Sequence, residues 1–248
     1  MMQKKAAQKK SETDQPADIK ARLANFALLF ELDNLAVSVR ELSFDILKTL
    51  LAKSDCKLTE IQFCRCGLCA APEMYLPALL GALDVKKPSA EKLAKDLYKA
   101  LGEQLAGGKT VLNAALDAVL AETAGLGIRM AAISALPEDM AHALAEKLGL
   151  ADRGVELFVF SEPEDVFPRA DTWLKVAKSM SVPPRHCKVL STSMASCKAA
   201  LSTGMNSVAV PDRFTSFHDF GGATMVLDAL GDVSATDLVA EIFPLEDL

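Results

Sequence analysis

The chain has 248 residues, half of them hydrophobic, with 27 basic and 33 acidic side chains and a formal charge of −6. A chain of that size can bury a core without disulfide or metal staples, as one large domain or one domain carrying a smaller insertion. The acidic balance argues against a basic face for nucleic acid or anionic lipid, and with one Trp and two Tyr there is little material for an aromatic platform that stacks bases.

Residues 1–24 carry Lys4, Lys5, Lys9, Lys10, Lys20 and Arg22 with little to bury before Leu23, which predicts a solvated tail or frayed helix. Glu12, Asp14 and Asp18 count against a mitochondrial-type address, and no charged-then-apolar secretory segment precedes residue 25. Six cysteines are too few for a disulfide scaffold, so a cytoplasmic protein with reduced thiols is expected. The apolar runs fall far short of the roughly 20 residues a membrane span requires, so no membrane partner is expected.

Phe26 to Phe30 is a short apolar run ending in the polar pair Glu31 and Asp33, as a buried parallel strand ends when it delivers side chains to its C-terminal edge. The period then changes. Val39, Leu42, Ile46 and Leu50 recur at helical spacing, and further helical stretches are predicted at 58–64, 73–83 and 90–105, with no strand among them. After Gly107-Gly108 a helix over 112–123 and a strand over 128–134 follow, and Pro137 opens a helix over 138–148. Strands are predicted at 155–160, 188–190 and 207–210, with helices at 171–180 and 194–202 between them. The alternation predicts an α/β fold, a Rossmann-like parallel sheet with helices on both faces, carrying an inserted all-helical segment after the first strand. The expected division is a core of residues 25–36 and 107–248 and a helical cap of 37–106.

Chemistry in such a sheet lies beyond the strand C-termini. Read in order, those ends are Glu31-Leu32-Asp33-Asn34, then Ser134, then Phe167-Pro168 with Asp171, then Ser191-Thr192-Ser193 leading to Lys198-Ala-Ala-Leu-Ser-Thr-Gly-Met205. This ordered set resembles the haloacid dehalogenase (HAD) superfamily, in particular its phosphoglycolate phosphatase and β-phosphoglucomutase-like branch with a helical cap. The likeness covers about residues 25–230. His218-Asp-Phe-Gly-Gly-Ala223 is similar to the family's approach to its last strand.

The resemblance places Glu31 at the position of the phosphoryl-accepting aspartate and Asp33 at that of the general acid/base. Glu is one methylene longer, and a misplacement of about 1 Å can cost roughly a hundredfold in an in-line displacement. Asn34 stands where the family has glycine, and Asn tolerates a left-handed turn. Ser134 falls at the hydroxyl that binds phosphate, although a serine there also suits the N-cap of the next helix. The family's lysine is replaced by Phe167, which has no charge, and Arg169 is the candidate substitute. The metal carboxylates are replaced by Ser191 and Thr192, weak neutral ligands for a hard ion such as Mg²⁺. Mg²⁺ is thus a cofactor by resemblance only. Glu31 and Asp33 leave two negative charges where the lysine and metal would have balanced them, so a dianionic phosphate is expected to be repelled unless Arg169 turns in or a metal still binds.

Two functions follow as expectations: a catalytically degenerate HAD-fold pseudoenzyme that binds a small-molecule phosphate or a protein partner, or a phosphoric ester hydrolase of altered chemistry using Glu31 and Asp33. Cys56, Cys64, Cys66 and Cys69 crowd into the helical segment, but their spacing is not the paired Cys-x-x-Cys of a zinc site, and small buried side chains are expected. His142, His186 and His218 are scattered without a nucleophile partner, Trp173 and Leu174 read as core, and Pro211-Asp212 ends a strand at the pocket border with no chemistry assigned.

Overall fold

A computed structural model describes residues 16–68, 71–162 and 165–244. Six parallel strands form one sheet in the order β3-β2-β1-β4-β5-β6. They are β1 Ala27–Glu31, β2 Arg129–Ser134, β3 Val155–Val159, β4 Cys187–Ser191, β5 Asn206–Ala209 and β6 Met225–Val226. Order reverses between β1 and β4, so the β1 end sits at the crevice where such sheets bind ligands.

β1 is buried at every position, and its alternate side chains feed two different cores. Leu28 and Phe30 join the cluster that holds α6 (Ala114–Gly125), α7 (Glu138–Lys147) and α10 (Ala235–Ile242). Ala27 and Leu29 join Trp173 and Val176 of α8 (Ala170–Ser179) and Ala200 of α9 (Met194–Ser202). Both sheet faces are therefore covered, which is why the strands read as continuous apolar runs rather than alternating ones.

Between β1 and α6 the chain is helical: α2 Val39–Ala52, α3 Glu60–Cys66, α4 Pro72–Ala82 and α5 Ala90–Ala106. Thr59 caps α3 by accepting from the Gln62 N–H, with Gln62 reaching back, and Ser89 caps α5 by accepting from the Lys92 N–H. No helix among the described residues is long and apolar enough to cross a membrane.

Local features sharpen, correct or add to the expectations. The chain is helical at α1, Pro16–Leu23, the helical alternative for this segment, and Leu23 is buried in the core; residues 1–15 lie outside the described residues. Leu174 is exposed while its neighbour Trp173 is fully buried, because only one of two consecutive helical positions can face the sheet. β6 is two residues long and α10 carries its apolar stripe in one turn past the last recognisable strand; neither repeats a period often enough to be read from the chain.

Candidate functional site

β1 ends on Glu31 and runs directly into a π-helical turn, Leu32–Ala36, that carries Asp33 and Asn34. Such turns are rare and concentrate at functional sites. Asn34 does not occupy a left-handed conformation. Its side-chain oxygen instead accepts the Arg40 N–H at 3.0 Å, satisfying an orphan donor in the first turn of α2. This is a correction to the turn role expected from its place in the motif.

The strand ends and the helical insert enclose a cavity of about 70 Å³. Glu31, Asp33, Phe167 and Ser193 line it from the sheet side, and all four insert helices contribute, among them Arg40, Phe63, Tyr75 and Tyr98.

Glu31 is buried, and both of its carboxylate oxygens accept from one residue. The Thr192 N–H donates to Oε1 at 2.7 Å and the Thr192 hydroxyl donates to Oε2 at 2.6 Å. Asp33 is likewise held at both oxygens, by the Ser134 hydroxyl at 2.6 Å and the Ala135 N–H at 2.8 Å. Burial nonetheless raises its pKa to about 6, against the lowering effect of those hydrogen bonds; the nearby Glu31 charge adds to the rise.

Ser134 is buried, with its hydroxyl turned to Asp33 and accepting from the Leu136 N–H at 3.1 Å. It is neither the N-cap of α7, a position Pro137 holds, nor among the residues that line the cavity. Ser191 is bonded to Ser207 across the sheet at 2.9 Å and also faces away.

Arg169 is not turned inward. Its guanidinium is half exposed and lies 3.8 Å from Asp171, and it does not line the cavity. Phe167 is a packing residue, edge-on to Trp173 with ring centroids 5.1 Å apart.

The cation in the cleft comes from a residue that sequence reasoning passed over. Arg40, on α2, is buried and pairs through Nη1 with Asp212 Oδ2, while Nη2 donates to Thr192 Oγ1 at 3.4 Å. Asp212 is fixed by accepting from the Phe214 N–H at 2.8 Å, and the Thr215 hydroxyl donates to the Thr192 carbonyl at 2.7 Å. Thr192 is therefore the hub of a closed network joining Glu31, Arg40, Asp212 and Thr215. No local pattern could have found Arg40, because its partner lies 172 positions away. The one available signal was Asp212 immediately after the β5 run.

Three carboxylates and one guanidinium leave two formal negative charges at the site. The donor set does not fit Mg²⁺. The hydroxyl that would face the ion from position 192 donates instead to Glu31, both Asp33 oxygens are occupied, and among the described residues no three His, Cys, Asp or Glu side chains converge. Cys56, Cys64 and Cys66 are free, half-buried thiols; Cys69 lies outside the described residues.

The sheet order, the turn after β1 and the helical insert define the fold of the HAD-type hydrolases. Among solved structures, the chain is similar to CbbY from Rhodobacter sphaeroides in complex with phosphate, at 19% identity and a TM-score of 0.72, over 90% of this chain and 99% of that one. A β-phosphoglucomutase from Clostridium difficile aligns at 15% identity and 0.70 over 87% and 96% of the two chains. A HAD family hydrolase from Deinococcus radiodurans with bound phosphate and sodium aligns at 19% and 0.69, over 89% and 99%. No family model matches the sequence, and no curated protein does.

Proposed function

We propose that the chain is a pseudoenzyme of the HAD fold, resident in the cytoplasm, that acts by binding a ligand or a protein partner through its cap, its cleft or its surface without turning a substrate over. In this reading residues 37–106 are the cap and residues 25–36 and 107–248 the core. Glu31 keeps the nucleophile position and Asp33 the acid/base position in name only.

The observation that carries the reading is the double hydrogen bond from Thr192 to Glu31. A nucleophilic carboxylate must present an oxygen in line with the phosphorus. Here both oxygens are turned to the backbone and hydroxyl of Thr192 at the end of β4, and the Arg40 guanidinium that lines the cavity is committed to Asp212. Losing a single group that stabilises transition-state charge typically costs about a hundredfold or more. In this chain the lysine and the metal carboxylates are both replaced, and the nucleophile is lengthened.

The test is hydrolysis of a panel of phosphate esters with Mg²⁺. Turnover no higher than that of the Glu31→Ala variant is expected. Turnover comparable to active HAD phosphatases, abolished by Glu31→Ala, would overturn the reading. The triple variant Glu31→Asp, Phe167→Lys, Thr192→Asp is expected to gain Mg²⁺-dependent phosphatase activity.

One observation favours the second reading, a phosphoric ester hydrolase of altered chemistry. Asp33, with its pKa raised to about 6, is poised for proton transfer near neutrality. Under that reading the same assay shows turnover that falls with both Glu31→Ala and Asp33→Asn.

A further inference from the structure

The β5–β6 connection does more than join two strands. Arg213 ion-pairs with Glu41 of α2 at 3.1 Å and with Glu60, the first residue of α3, at 3.0 Å. Its guanidinium also lies over the Phe214 ring at 4.6 Å and the Phe44 ring at 5.7 Å. Phe214, which follows the sheet, is buried against insert residues, with ring centroids 5.2 Å from Phe44 and 5.2 Å from Phe63. Cys64 donates its thiol to the Phe214 carbonyl at 3.7 Å. Asp212, itself half-buried, adds the ion pair with the buried Arg40.

The same segment is anchored to the core on its other side. The Thr215 hydroxyl donates to the Thr192 carbonyl at 2.7 Å, and His218 Nδ1 accepts the Met194 N–H at the start of α9 at 3.1 Å. Burial makes protonation of His218 harder, which keeps its nitrogen available as an acceptor.

We infer that residues 212–214 form a strap that holds the helical insert shut over the cleft, with Phe214 as its plug. This goes beyond the proposed function and does not depend on whether the cleft catalyses. Two of the strap's contacts belong to the site itself, because Arg40, held by Asp212, and Phe63, packed on Phe214, both line the cavity. Opening the insert thus requires Phe214 to leave the Phe44–Phe63 pair and Arg40 to part from Asp212 in one movement. Aromatic triads of this kind pack specifically and exclude water, so the closed arrangement resists partial loosening.

Cysteine labelling reads the strap directly in the full chain. Cys64, on α3, contacts the strap at the Phe214 carbonyl, whereas Cys187 and Cys197 are buried against the sheet and report loosening of the core. Iodoacetamide labelling, located by mass spectrometry, is expected to rise about tenfold or more at Cys64 in Phe214→Ala, with Cys187 and Cys197 unchanged. Arg213→Glu, a milder change at a half-exposed position, is expected to raise it about two- to fivefold. Should Phe214→Ala not fold, Arg213→Glu decides on the same criteria. A Cys64 rate unchanged by the substitutions, or a rise at Cys187 and Cys197 in step with Cys64, would overturn the strap.

Discussion

Asp33 has lost most of its contact with water without gaining a cation of its own, and its pKa stands at about 6 against an ordinary 3.8. The folded state therefore holds the proton at pH values where the unfolded chain has released it. Stability conferred by this group is present below about pH 4 and is lost as pH rises towards about 6, amounting to ~3 kcal/mol. Urea denaturation across that range is expected to show the slope in the wild type and to lack it in Asp33→Asn. Thr192 presents the complementary case. Replacing it with Val removes the hydroxyl from a buried carboxylate while keeping the backbone donor, and is expected to cost about 1–3 kcal/mol in the same measurement.

At the scale of elements, the site is built where β1, a π turn and α2 succeed one another. Asn34 ties the turn to the first turn of α2, so Asn34→Ala is expected to cost about 1 kcal/mol, like other lost helix caps. Two arginines then separate by context rather than by type. Arg40 is buried and paired, and truncation to Ala leaves a half-buried Asp212 without its counter-ion, for about 1–2 kcal/mol by thermal denaturation. Arg169, half exposed beside an exposed Asp171, is expected to change stability by less than about 0.5 kcal/mol when truncated. The chain pointed to Arg169 because it stands two residues from Phe167. An extended segment would have aimed both the same way, but Arg169 sits at the start of α8 and its backbone N–H is taken by the Thr172 hydroxyl at 3.2 Å.

For the molecule as a whole, the insert and the sheet are stitched together by the cluster that runs from Leu28 and Phe30 through Phe44, Phe63 and Phe214 without a break. Calorimetry is expected to record one unfolding transition for the wild type, and a separate earlier one for the insert in Phe214→Ala. The five longer strands, the helices between them, the helical insert and the order of the strand ends were legible in the chain, since the strands stand out as short apolar runs and the helices as a repeated 3.6 period; β6 and α10 were not. Reading positions 31, 167 and 192 as replacements rests on the family resemblance, because each is compared with a fixed place in that order. What the side chains do there was not legible. Whether Thr192 binds a metal or Glu31, whether Ser134 faces a ligand or Asp33, and which arginine enters the cleft depend on pairings across 161, 101 and 172 positions. Such pairings are chosen by distance and desolvation in the closed structure, and no run of neighbouring residues records either.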